Sequence, residues 1–112
     1  MLQHNPIIGV GLGNYTNTLQ AKYSTLAAYE IQPVHNIFLL IISELGIVGL
    51  LIFLLIIRQT IKQYDSQHGV FVAIFIGLLI VGLFDHYIWT LPSFVYLFWL
   101  ITSLIYYRRL QE

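Results

Sequence analysis

Residues 36–57 read NIFLLIISELGIVGLLIFLLII, twenty-two positions with Glu44 as the one ionisable side chain. At about 1.5 Å per residue such a helix crosses a hydrocarbon core of roughly 30 Å. A second apolar run, residues 70–84, carries no charge and extends through the interfacial Tyr87 and Trp89. A third covers residues 94–107, with Pro92 suited to a first helical turn and Thr90 to a cap before it. The expected fold is all-α and integral to a membrane: three transmembrane helices preceded by an extracytoplasmic loop that holds a short amphipathic helix. The divisions are 1–35 for the loop, 36–57, 70–89 and 94–107 for the spans, 58–69 for a cytoplasmic loop, 90–93 for a short outer turn and 108–112 for a cytoplasmic tail.

Composition supports this reading. Of 112 residues, 58% are hydrophobic and 9% charged, whereas soluble chains average about 25% charged. Five basic and five acidic residues cancel, so a nucleic-acid partner is not expected. The absence of cysteine removes disulfides, thiolate metal sites and thiol catalysis.

Basic residues set the expected orientation. Arg58 and Lys62 follow the first span and Arg108 and Arg109 the third, which places those ends in the cytoplasm. Lys22 is the sole basic residue in the first 35, and none lies between Asp85 and Ser93, so the N-terminal segment is expected outside. Tyr87 and Trp89 fit the outer boundary, and Tyr64, Tyr106 and Tyr107 the inner one. The first 35 residues lack the pattern of a secretory signal, so the chain reads as the tail of a longer polytopic protein whose upstream helices it needs. Tyr15, Leu19, Tyr23 and Leu26 form a helical stripe suited to lying on the outer membrane surface.

Four polar or glycine-bearing features stand out. Gly9, Gly11 and Gly13 alternate, but the spacing and context of a dinucleotide fingerprint both fail; a turn is the plainer reading, and an outward glycine loop also lets backbone approach a diphosphate closely. His35-Asn36 opens the first span. Glu44 lies nine residues later, about half a turn out of phase on one helix, so a direct pairing with His35 is not expected. An acid in a spanning helix costs roughly 2.5–3.5 kcal/mol at the bilayer centre, so Glu44 faces protein or water. Gly46 and Gly49 read as small residues for close helix packing. Asp85-His86 closes the second span; adjacent helical residues diverge by about 100°, so the two share no partner unless the helix breaks there. His35 and His86 are the only histidines placed with certainty on the outer side, His68 being expected in the cytoplasm, and no metal or other cofactor is assigned. Asn14-Tyr15-Thr16 has the form of a glycosylation acceptor.

Taken together, three segments resemble the O-antigen ligase and polymerase superfamily, bacterial membrane glycosyltransferases that use polyprenyl-diphosphate-linked glycans. HNPIIGVGLGNY at 4–15 is similar to a stretch of the family's large periplasmic loop. His35-Asn36, nine residues, then Gly46-Ile47-Val48-Gly49 is similar to the ligase motif, with its spacing complete. Gly82 to Tyr87, with the later Phe98-Trp99, is similar to the end of the conserved region. The resemblance implies that the chain is the C-terminal fragment of a polytopic glycosyltransferase bundle in the bacterial cytoplasmic (inner) membrane. His35 then falls at the catalytic position as acceptor of the proton from an attacking hydroxyl. Asn36, Gly11, Gly13 and Asn14 are expected to bind substrate, and Glu44, Gly46, Gly49 and Asp85 to serve structure and packing. The implied partners are membrane lipid, a polyprenyl-diphosphate-linked glycan donor, and a glycan, lipid or protein acceptor. Ligase and polymerase differ only in that acceptor. The resemblance also supplies arginines for the leaving diphosphate, upstream of this chain, whose one outward cation is Lys22, so the chain alone is expected to be inactive. Two other classes fit the composition: a non-catalytic accessory subunit packed through its glycines, and a transporter piece with Glu44 and Asp85 as ion ligands.

Overall fold

The structure is a computed structural model, and it describes residues 5–25, 27, 30–63 and 69–109, the last two without their side chains. His4, Leu26, Tyr64 and His68, named above, lie outside them. The described residues form five helices: α1 (Tyr15–Lys22), α2 (Ile37–Lys62), α3 (Gly69–Phe84), α4 (Tyr87–Thr90) and α5 (Pro92–Arg109). Helix α2 alone is long and apolar enough to cross a membrane, about 39 Å at the usual rise; α3, at about 24 Å, and α5, at about 27 Å, are shorter apolar helices.

Asn36 starts α2. Its side chain accepts the Leu39 N–H at 3.1 Å, the usual N-cap bond. The helix is interrupted at Gly46, which takes φ 67° and ψ −167°. That break frees two carbonyls and two N–H groups that a regular helix would pair with one another, and the loop before α1 takes up all four. Val10 N–H donates to Ser43 O at 3.0 Å and Gly11 N–H to Glu44 O at 2.8 Å, while Ile47 N–H donates to Pro6 O at 3.0 Å and Val48 N–H to Ile7 O at 3.4 Å. Irregular backbone is tolerated in an apolar setting only when its polar groups are met in this way. Glycine is required on both sides of the contact: a Cβ at Gly46 would meet the Ile7 carbonyl, and one at Gly9 the Glu44 carbonyl. The close packing expected at Gly46 is therefore of a loop against a broken helix, not helix against helix. Gly49 faces the side chain of Leu45 on its own helix.

Helices α2, α3 and α5 bury Ile37 and Ile41, Phe75 and Leu78, and Phe98 and Ile105 against one another. The Phe98 ring centroid lies 5.3 Å from that of Phe75 and 5.8 Å from that of Phe53, which joins the three helices through aromatic contact. Leu51, Leu55, Ile80, Leu83 and Leu100 stay exposed, so apolar surface continues round the outside of the bundle, as it does in a helix surrounded by lipid or by further helices. Gly82 admits α2 at close range: a Cβ there would lie 2.7 Å from Ile37 Cδ1.

Two expectations about helix ends change. The apolar run after residue 70 does not continue to Trp89; α3 stops at Phe84, and Asp85-His86 leads into the single turn of α4. Thr90 does not cap α5, because it ends α4 and its hydroxyl bonds back to the His86 carbonyl at 3.2 Å. The surface stripe is also shortened, since α1 ends at Lys22, before Tyr23.

Candidate active site

The site lies where α2 begins and α3 ends. Asn36 holds these ends together: while its oxygen caps α2, its Nδ2 donates to Leu83 O at 3.0 Å, forty-seven residues away. Asn36, expected to bind substrate, thereby places its neighbour His35 beside the residues that follow α3 and keeps one further N–H on its amide.

The consequence is a cluster of His35, Asp85 and His86. His35 Nδ1 lies 3.4 Å from Asp85 Oδ1, and His86 Nε2 lies 3.6 Å from the same oxygen. The two imidazole centroids are 5.3 Å apart. A continuous helix would have turned Asp85 and His86 apart, and the break after Phe84 is what lets both address one point. Asp85 is oriented by the His86 N–H, which donates to its Oδ1 at 2.7 Å. Loss of solvation pushes the Asp85 carboxyl up. The His86 N–H, the Tyr87 hydroxyl and the two imidazoles outweigh that push and hold it below its ordinary value. The same hydrogen bond, and the charge of Asp85, raise the Tyr87 phenol.

This geometry gives His35 the arrangement of a general base. A carboxylate that accepts from Nδ1–H fixes the tautomer in which Nε2 carries the lone pair, and it stabilises the imidazolium formed when Nε2 takes a proton. The His35 side chain is 58% exposed, so an acceptor can reach it. Asp85, expected to serve structure and packing, stands against the His35 imidazole; its position directly after an uncharged apolar run is the available signal.

Glu44 belongs to a separate network. It is buried, its Oε2 accepts the Trp89 indole N–H at 3.0 Å, and its Oε1 accepts the Tyr15 N–H at 3.4 Å. One carboxylate thereby links α2, α4 and the start of α1. Trp89 was read only as an interfacial residue. A cleft of about 320 Å³ opens beside this network, lined by Leu12, Gly13, Glu44, Trp89 and Thr90. It shares Leu12 and Trp89 with an apolar groove of about 230 Å³ whose walls include Phe53, Phe98 and Trp99.

Most N–H groups of the glycine loop that face α2 or its own turns are paired. Gly9, Val10, Gly11 and Asn14 all donate to backbone carbonyls, at 2.8–3.1 Å. Gly11 and Asn14 therefore shape the loop, while Gly13, with no atom within 4 Å of a would-be Cβ, faces open space at the mouth of the cleft. Lys22 stacks over Tyr23, with Nζ 5.4 Å from the ring centroid.

No curated protein and no solved structure matches the chain. A family model described as O-antigen ligase matches residues 1–54, which contain the glycine loop, His35-Asn36, Glu44 and both glycines of the broken helix. The match ends within α2, so Asp85 and His86 join the site by geometry alone. Over residues 1–54 this chain is similar to the O-antigen ligase family.

Proposed function

We propose that the chain contributes the general base of a membrane glycosyltransferase that transfers a glycan from a polyprenyl diphosphate to an acceptor hydroxyl, on the outer side of the bacterial cytoplasmic membrane. One observation carries the reading: within ligase-type sequence, the exposed imidazole of His35 has its Nδ1 against the Asp85 carboxylate. In the reaction, the acceptor oxygen forms a bond to the anomeric carbon as the bond from that carbon to the diphosphate oxygen breaks. The hydroxyl proton passes to His35 Nε2, and the diphosphate departs with the bonding pair. Asp85 steadies the positive charge then held on the imidazole.

The apolar groove beside Trp89 and Trp99 suits an isoprenoid tail, and the cleft at Gly13 and Glu44 suits sugar hydroxyls. Arg58 and Lys62 lie at the far end of α2 from His35. The developing charge on the diphosphate needs such donors, so they come from other parts of the assembled enzyme. The same separation of polar site and basic helix ends supports a three-span arrangement with the site outside.

The test is His35→Ala in membranes that carry the complete protein, with lipid-linked glycan as donor. Transfer should fall by about 10²- to 10⁴-fold, the usual contribution of a positioned base, with the protein still in the membrane. Unchanged transfer would refute the assignment.

A further inference from the structure

We propose that His35, Asp85 and His86 form a binding site for a divalent transition-metal ion of the zinc class. The inference goes beyond the transfer reading. The ion takes the Nδ1 position that carries the proton when His35 serves as base, so the metal-bound form excludes that role and zinc is expected to block transfer.

The donor set is two imidazole nitrogens and one carboxylate oxygen, a combination that zinc accepts while keeping a further position open. Zinc bonds of about 2.0–2.2 Å in tetrahedral array set neighbouring ligand atoms about 3.4 Å apart. His35 Nδ1 and His86 Nε2 stand 3.4 Å and 3.6 Å from Asp85 Oδ1, and one ligand atom from each residue lies within 4.8 Å of the others. A small rotation of the exposed His35 ring closes the remaining edge.

The partners of these side chains also suit a metal. His86 Nδ1 lies 2.7 Å from Thr90 Oγ1, and that hydroxyl donates its own proton to the His86 carbonyl at 3.2 Å. With an ion on Nε2, Nδ1 carries the ring proton, and Thr90 Oγ1 is placed to accept it. Metal-bound histidines are held in this way, with the second ring nitrogen donating to a protein oxygen. Asp85 is fixed in turn by the His86 N–H and the Tyr87 hydroxyl. The competing occupant is a proton, with His86 as an imidazolium. It needs the same short contacts but gives no metal affinity.

The experiment is a titration of the tag-free, chelator-stripped complete protein in detergent, first with Zn²⁺ against a competing indicator and then with Co²⁺, whose visible ligand-field absorption reports low coordination. One ion per chain is expected. His35→Gln should weaken binding more than tenfold, and because that side chain is largely exposed the change leaves the packing intact. Thr90→Val should weaken binding by about 10- to 100-fold through loss of the outer hydrogen bond. An absence of saturable binding, or binding that His35→Gln leaves unchanged, overturns the site. Because the readout is metal binding, its failure leaves the transfer assay of His35→Ala untouched.

Discussion

His35 Nδ1 and Asp85 Oδ1 stand 3.4 Å apart although the two residues belong to different helix ends. If the carboxylate fixes the tautomer of His35 and stabilises its protonated form, Asp85→Asn keeps the shape and loses both effects. Transfer by the complete protein should then fall by about 10²- to 10⁴-fold, within the range of general-base catalysis. The loss should appear in kcat with KM little changed, because no donor or acceptor contact is removed. A rise in KM at constant kcat would instead make Asp85 a substrate-binding residue.

Asp85 and Tyr87 define a pH window. Asp85 has a lowered folded pKa, so its contribution to stability is present above the unfolded value of about 3.9 and is lost as pH falls through the folded one. Tyr87 has a raised folded pKa, so its contribution is complete below the unfolded value of about 10 and is lost as pH rises through the folded one. The hydrogen bond between them should therefore persist across the whole neutral range. In an ultraviolet difference titration of the wild type against Tyr87→Phe, the missing phenol should ionise at higher pH than an ordinary tyrosine. Asp85→Asn should move it back toward the ordinary value, and a Tyr87 that ionises normally in the wild type would contradict the contact.

Gly46 and Gly13 both have positive φ, 67° and 71°, but differ in what surrounds them. Gly13→Ala incurs only the left-handed backbone penalty, about 1–2 kcal/mol, because a methyl group there meets nothing within 4 Å. Gly46→Ala puts a side chain at φ 67° and ψ −167°, a region open essentially to glycine alone, and also drives a methyl group into the Ile7 carbonyl, so the loop must leave the broken helix. Its thermal midpoint should drop further than that of Gly13→Ala, and residues 5–14 should become open to protease. Equal midpoints and equal proteolysis in the two variants would count against the loop as the structural reason for Gly46.

The parts of this arrangement that were legible in the sequence are those set by local pattern. Long apolar runs located α2, α3 and α5, and the costliness of a buried acid marked Glu44 as needing partners. Which partners they are depends on contacts far apart in the chain: Trp89 is forty-five residues from Glu44 and Tyr15 twenty-nine. Gly46 shows the limit most plainly. Small-residue spacing suggests helix packing, whereas the observed role needs the carbonyls of Pro6 and Ile7 to replace two helical acceptors, an exchange that no periodicity encodes. The Asp85-His86 pairing turned on a helix break, which sequence reasoning posed as a condition and the uncharged run before it did not reveal. Thr90 was assigned to a cap because caps are local, and its bond to the His86 ring is visible only in three dimensions.

The absence of cysteine makes the orientation directly measurable. Ser24 follows α1 in the segment that precedes α2, and Gln63 ends α2 beside Lys62. If α2 spans the membrane with its basic end inside, a cysteine at position 24 should react with an impermeant maleimide on intact spheroplasts. A cysteine at position 63 should react only after the membrane is opened. Labelling of both in sealed spheroplasts would show that α2 does not cross, and the reverse pattern would put His35 on the cytoplasmic side. In that case a base for an acceptor outside the cytoplasm could not be His35, and the transfer reading would fall with the topology.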